Sequence, residues 1–191
     1  MTPPQSEHRA PLEALGLSGP PLGRLCAYLD TLAAWSPRVN LTAARGAGER
    51  VRLLVAGVLA AARLPEPGSL IDVGSGNGSP GLVLALVRDD LAVTLLEPRA
   101  RRWAFLREAA RAAGRGGVQV QRRRHDSYAG VPARTLTLRA LALPLGELRP
   151  LVELGGRVIV FGGEPRPAAG FQATAEGAEL PGGVRVFLRE A

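Results

Sequence analysis

Residues Leu70–Gly81 read LIDVGSGNGSPG. A short apolar run carries one acid, Asp72, then breaks into four glycines within eight residues. A short apolar run ended by glycine predicts a buried strand, and a glycine-dense turn directly behind it lets backbone lie against a ligand. The segment that follows, SPGLVLALVR, has the apolar density of a buried helix. Strand, glycine turn and helix form the first unit of an α/β fold.

The pattern repeats downstream. LAVTLLE predicts a second strand, and PRARRWAFLREAARAAG a long amphipathic helix ended by Gly114. GVQVQRR and TLTLRAL predict a third and a fourth strand. PLGELRPLVEL predicts a helix stopped by Gly155-Gly156, RVIVF a fifth strand, and GFQATAEG with GGVRVFLRE a closing hairpin. Such alternation predicts a parallel, doubly wound sheet with helices on both faces. Upstream the spacing is helical. Leu22, Leu25, Leu29 and Leu32 share one face, Pro37 ends that helix, and a third helix spans about Gly48–Arg63. Residues 1–10, with His8 among them, read as a frayed tail. The expected organisation is an N-terminal helical extension, residues 1–66, packed on an α/β domain, residues 67–191.

The glycines fit two cofactor patterns. Gly76, Gly78 and Gly81 match G-x-G-x-x-G, in which a pyrophosphate meets the next helix. Read from Gly74, the loop is G-x-G-x-G behind an acid, the form that wraps the methionine part of S-adenosylmethionine. Asp72 would repel a pyrophosphate and suit a cationic ligand, which favours the second reading. Glu97, ending the second strand, can accept both ribose hydroxyls in either class. Asp126, past the third strand, can receive an adenine amino group. Asp72, Glu97 and Asp126 are thus expected along one edge of the sheet.

Composition narrows the partners. Net charge is +7, and all 24 basic residues are arginine. That balance suits a solvated basic surface and a nucleic-acid partner equally. Cys26 is the sole cysteine and the histidines are two, so neither a disulfide nor a metal site is expected. The longest apolar run, Leu53–Ala62, is too short to span a bilayer. No membrane association is expected; a cytoplasmic monomer is.

Several segments resemble the RsmG (GidB) family: NLTA (Asn40–Ala43), Asp72–Glu108, RHD (Arg124–Asp126) and LRAL (Leu138–Leu141). The resemblance covers roughly Leu22 to Phe161. It implies a class I methyltransferase with a Rossmann-like sheet, moving the methyl of S-adenosylmethionine to N7 of a guanine in 16S ribosomal RNA or the small subunit. It places Asp72, Gly74, Ser75, Gly76, Gly78, Ser79, Glu97, Pro98, His125, Asp126 and Arg139 around the cofactor. Arg139, with Asn40 from the connector, falls beside the reacting atoms. Arg38, Arg101, Arg102, Arg123 and Arg124 supply a track for RNA, with Trp35, Trp103 and Tyr128 as the stacking candidates. The chain departs from the family at Ser79, where the family usually carries Phe or Leu. It departs in the third helix, which lacks the usual His and Asp-Ser, at Phe161-Gly162, and in its C-terminal segment. Alternative readings are a diverged relative that serves as an RNA- or ribosome-binding module, a small-molecule methyltransferase and, last, a dehydrogenase.

Overall fold

The computed structural model describes residues 5–190. Two helices open the chain, α1 (Arg9–Glu13) and α2 (Gly19–Trp35). Pro20 and Pro21 lie in the first turn of α2, where a missing N–H costs nothing. The third helical segment runs from α3 (Ala47–Val51) through a π turn (Arg52–Ala56) into α4 (Gly57–Ala60). The sheet then alternates with helices: β1 (Gly68–Val73), α5 (Gly81–Val87), β2 (Leu91–Leu96), α6 (Ala100–Ala112), β3 (Gln119–Gln121), β4 (Ala133–Arg139), α7 (Leu145–Leu148), β5 (Val152–Phe161), β6 (Phe171–Ala173) and β7 (Val184–Arg189).

The strand order is β3-β2-β1-β4-β5-β7-β6. The first five strands are parallel, and β7 runs antiparallel to both β5 and β6. Winding starts at β1, goes outward through β2 and β3, then restarts on the other side at β4. The ends of β1, β2 and β4 therefore flank the crevice where such sheets take ligands.

Alternation along the central strands feeds two cores. Leu70, Leu95, α5, α6 and the N-terminal helices fill one face; Ile71, Val73, Leu96, Leu138, α7 and Val160 fill the other. Helix α5 is apolar all round because it lies between the sheet and α2, and Gly81–Leu86 are all buried.

Two expectations need correction. Gly155-Gly156 does not stop a long helix. The helix ends at Leu148, a 3₁₀ turn covers Arg149–Leu151, and β5 already begins at Val152, which pairs with Ala133. The glycines form an irregularity inside the strand. Gly155 has φ +73°, and a Cβ on Gly156 would sit 2.9 Å from the Arg134 carbonyl oxygen. The described part of the tail is not frayed either. His8 is fully buried, its Nδ1 2.7 Å from Asp30 Oδ1 and its Nε2 3.3 Å from an Arg50 nitrogen. Among the described residues no helix is long and apolar enough to cross a membrane.

Candidate active site

The glycine loop leaves β1 and turns under the end of β2. Gly74 and Ser75 donate their N–H groups to Leu96 O, at 2.9 and 3.0 Å. Gly74 and Gly76 have φ of +70° and +50°, and a Cβ on Gly74 would come within 3.1 Å of Leu141. Backbone rather than side chain thus faces the crevice there. Helix α2 supports the loop from below: buried Tyr28 donates its hydroxyl to Asn77 O at 2.8 Å. Asn77 Nδ2 donates to Leu41 O at 3.0 Å, and Arg102 donates to Asn40 O at 2.9 Å. These bonds bring the NLTA connector to the rim.

Glu97 is buried at the end of β2. Its Oε2 accepts from Gly76 N at 3.0 Å and its Oε1 from Arg99 N at 2.8 Å. Each oxygen keeps a second lone pair, so the carboxylate is fixed in place and can still accept two hydroxyls.

Asp72 is placed differently from the expected row of acids. It is buried and lines no wall of the cleft. Its Oδ1 accepts from Thr137 Oγ1 at 2.6 Å, and its Oδ2, which has no full hydrogen bond, faces the start of α5. Burial pushes its pKa up to about 6, with Thr137, Ser75 and the Gly81 amide pulling the other way. A Cβ on Gly81 would lie 2.7 Å from Asp72 Oδ2 and closer still to the Asp72 Cβ. The last glycine of the motif is therefore demanded by the aspartate beneath it. Gly78 is a packing position as well, since its Cβ would meet Tyr28 and Leu82 at 3.2 Å. Asp126 lies at the surface, paired with Arg124 at 3.1 Å, and lines neither cavity at the crevice.

Arg139 ends β4 and enters the same cleft. It is half-buried, and among the described residues no carboxylate pairs with it. One guanidinium nitrogen donates to Ser79 Oγ at 2.8 Å, the other to Leu53 O at 2.7 Å. Ser79 Oγ in turn donates to Leu54 O at 2.7 Å. Both carbonyls belong to the π turn. Burial lowers the Arg139 pKa from the ordinary arginine value.

The resulting cleft holds about 570 Å³ and is lined by Gly74–Asn77, Ser79, Glu97, Pro98 and four arginines: Arg99, Arg102, Arg124 and Arg139. A slot of about 130 Å³ adjoins it, walled by Val73, Leu96, Pro98, His125 and Leu143. His125 is buried there, with Nε2 3.0 Å from Glu147 Oε2. A volume of that order, a fixed acceptor and an apolar slot fit a nucleoside-bearing ligand. Asn40 takes part through its backbone carbonyl. Arg123 and Arg124 flank the slot, whereas Arg38 and Arg101 line a separate groove. Sequence reasoning missed Tyr28, Asn77, Ala140 and Leu141. Of these, Asn77, Ala140 and Leu141 sat in motifs that could have drawn attention to them, and Tyr28 did not.

A family model described as "GidB: rRNA small subunit methyltransferase G" matches residues 22–165. The ribosomal RNA small subunit methyltransferase G of Halorhodospira halophila is 37% identical over 152 residues, covering 78% of this chain and 72% of the relative. That of Ralstonia nicotianae is 36% identical over 191 residues, covering 94% and 84%. Among solved structures, an MtNAS mutant in complex with S-adenosylmethionine matches with TM-score 0.60 at 17% identity, over 88% of this chain and 72% of that one. An RNA methyltransferase from Salinibacter ruber, in complex with S-adenosyl-L-homocysteine, matches with TM-score 0.53 at 22% identity, over 70% and 88%. At such identities the structural likeness speaks for the fold alone, and that fold is the class I methyltransferase sheet.

Proposed function

Because the chain belongs to the rRNA small subunit methyltransferase G (GidB) family, we propose that it transfers the methyl group of S-adenosylmethionine to N7 of a guanine in 16S ribosomal RNA. The observation that carries this reading is the polarity of the cleft. A fixed acceptor, Glu97, stands on the β2 wall, and a half-buried cation without a carboxylate partner, Arg139, stands on the β4 wall.

S-adenosylmethionine supplies an electrophilic methyl group. Toward it, Glu97 offers its two free lone pairs to the ribose hydroxyls, and the backbone of Gly74–Gly76 allows close approach. Pro98, His125 and Leu96 wall a mainly apolar slot, with Arg123 and Arg124 beside it, as the place for the purine ring. Guanine N7 carries an in-plane lone pair and no proton, so the step needs alignment and dehydration rather than a general base. The lining agrees with that requirement. Its one carboxylate, Glu97, already takes two backbone N–H bonds, and the other charged groups are arginines. Arg139 is suited to grip an anionic or carbonyl group of the substrate in a planar fork. Arg102, Arg123 and Arg124 offer phosphate contacts at the rim. The substrate is the small ribosomal subunit or its RNA, met by a monomer in the cytoplasm.

The test is methyl transfer from labelled S-adenosylmethionine to small subunits that lack N7-methylguanosine. The expected product is N7-methylguanosine on nucleoside mass spectrometry. Label on another atom would overturn the N7 assignment, and no transfer would overturn the reaction. Calorimetry checks the cofactor half. Glu97→Ala removes charge-assisted bonds to Gly76 N in the loop and to Arg99 N as well as the hydroxyl acceptor, and should weaken S-adenosylmethionine binding on the order of 100-fold. Unchanged affinity would refute the placement.

A further inference from the structure

Outside the cleft, two concavities lie against α2, α6 and β3. One, about 540 Å³, is lined by Trp35, Arg38, Val39 and Arg101. The next, about 610 Å³, is lined by Trp35, Trp103, Arg107, Gly116 and Val120 among others. They share Trp35 and so form one groove. The chain itself links it to the rim of the cleft. Arg102, beside Arg101, lines the cleft and holds Asn40 O, two residues beyond Arg38.

The chain has two tryptophans, and both line this groove instead of lying sealed in a core. Each is oriented by one interior contact. Trp103 Nε1 donates to Val120 O at 3.1 Å, and Trp35 meets buried Phe105 edge-on, with centroids 6.0 Å apart. The Arg107 guanidinium lies over the Trp103 ring, 4.9 Å from its centroid. A flat cation stacked on an indole can be extended by a third flat partner.

The charge is one-sided. Among the described residues Arg38, Arg101 and Arg107 make no salt bridge, while Glu108, the acid on this face, is neutralised by Arg111 at 2.7 Å. Farther along the helical face Arg24 and Arg115 pair with Asp89, and Arg88 with Asp90. Three arginines without a salt bridge among the described residues thus stand beside the two indoles.

We propose that the α2–α6 groove is a stacking track for single-stranded RNA, seating the nucleotides that flank the target base as they leave the cleft. This deepens the rRNA reading above and rests on it for the identity of the strand. An acidic peptide would match the arginines but leave the two indoles and the stacked guanidinium without flat partners. RNA uses both, with phosphates on Arg38 and Arg101 and bases on Trp35, Trp103 and Arg107.

Because both tryptophans lie in the groove, all tryptophan emission reports on it. The test titrates the full chain with a short single-stranded oligoribonucleotide, reading tryptophan emission and, separately, the anisotropy of a labelled oligomer. The expected result is quenching that tracks binding. The double variant Arg38→Glu, Arg107→Glu should weaken binding about 10-fold or more, and the salt slope should flatten by about 0.7 per lost phosphate contact. Calorimetric affinity for S-adenosylmethionine should stay unchanged in that variant, which shows that the cleft is intact. Trp103→Phe should remove part of the quench while its melting temperature is checked in parallel.

RNA binding without quenching, no RNA binding, no effect of the double reversal, or equal quenching by polyglutamate would each overturn the track. The two readings fail separately. Methyl transfer at the wild-type rate by the double variant sinks the groove and spares the reaction. Quenching by RNA with no methyl transfer by the wild type does the reverse.

Discussion

On the β2 side of the cleft the fixed group is an acceptor, Glu97, held by N–H groups of Gly76 and Arg99, 21 and 2 residues away. On the β4 side it is a donor, Arg139, held by Ser79 and Leu53, 60 and 86 residues away. The first wall is built within one β-α-β unit. The second is assembled from β4, the glycine loop and the π turn of the N-terminal helices. A wall made locally is rigid once its unit folds, whereas a wall made from distant segments depends on how those segments dock. The contrast predicts that damage to the packing beneath the first wall costs the fold itself, and damage to the second wall costs turnover.

Gly81→Ala is the harshest break of the first wall. The added Cβ has no room above Asp72, whose side chain sits under the start of α5 between β1 and β4. Overpacking of that kind costs about 1–3 kcal/mol, and more where backbone must move. The expected outcome is a large drop in melting temperature or no soluble folded protein. A variant that melts with the wild type would show that Asp72 can swing away.

Asp72 itself offers a milder perturbation, through pH. Its pKa is raised to about 6 in the folded chain against an ordinary 3.8. Between those values the native state holds a proton that the unfolded state has released. Stability from this group is therefore greatest at low pH, falls as pH rises from about 4 to about 6, and is flat above. The whole span is worth up to about 3 kcal/mol. Asp72→Asn cannot ionise, so the difference between its denaturation midpoint and that of the wild type should change across that window and level off above it. A constant difference from pH 4 to 7 would show that the carboxyl is not perturbed.

The same contrast explains what could be read from residues alone. The β1 loop, Glu97 and the strand alternation were legible because each depends on neighbours within a few tens of residues: glycine spacing, an acid at a strand end, apolar runs. Asp126 lay at the right strand end, yet its carboxylate turned outward to Arg124, two residues away. Strand position fixes where a residue is, not where its side chain points. Gly155-Gly156 looked like a helix stop because glycine pairs serve both as helix stops and as strand irregularities, and only pairing with β4 decides between them. His8 looked like tail because nothing near it in sequence announces Asp30 and Arg50.

Ser79 is the position where sequence and structure diverge most usefully, and it carries the smallest expected effect. Read as a sequence, it is a bulky apolar residue lost from the cofactor edge. In the fold its hydroxyl accepts from Arg139 and donates to Leu54 O, linking that arginine to the π turn. The third helical segment supplies backbone carbonyls here, and Ser79 and Arg139 are the side chains that reach them. Ser79→Ala should leave S-adenosylmethionine affinity within about 2-fold and lower kcat for methyl transfer roughly 5-fold, the value of one such hydrogen bond. Ser79→Thr keeps the hydroxyl and should restore most of the rate. An equal loss in both variants would point to packing around the loop, and a loss confined to cofactor affinity would return Ser79 to the first wall. Recovery by Thr alone would place it on the second, as the residue that holds Arg139 in position.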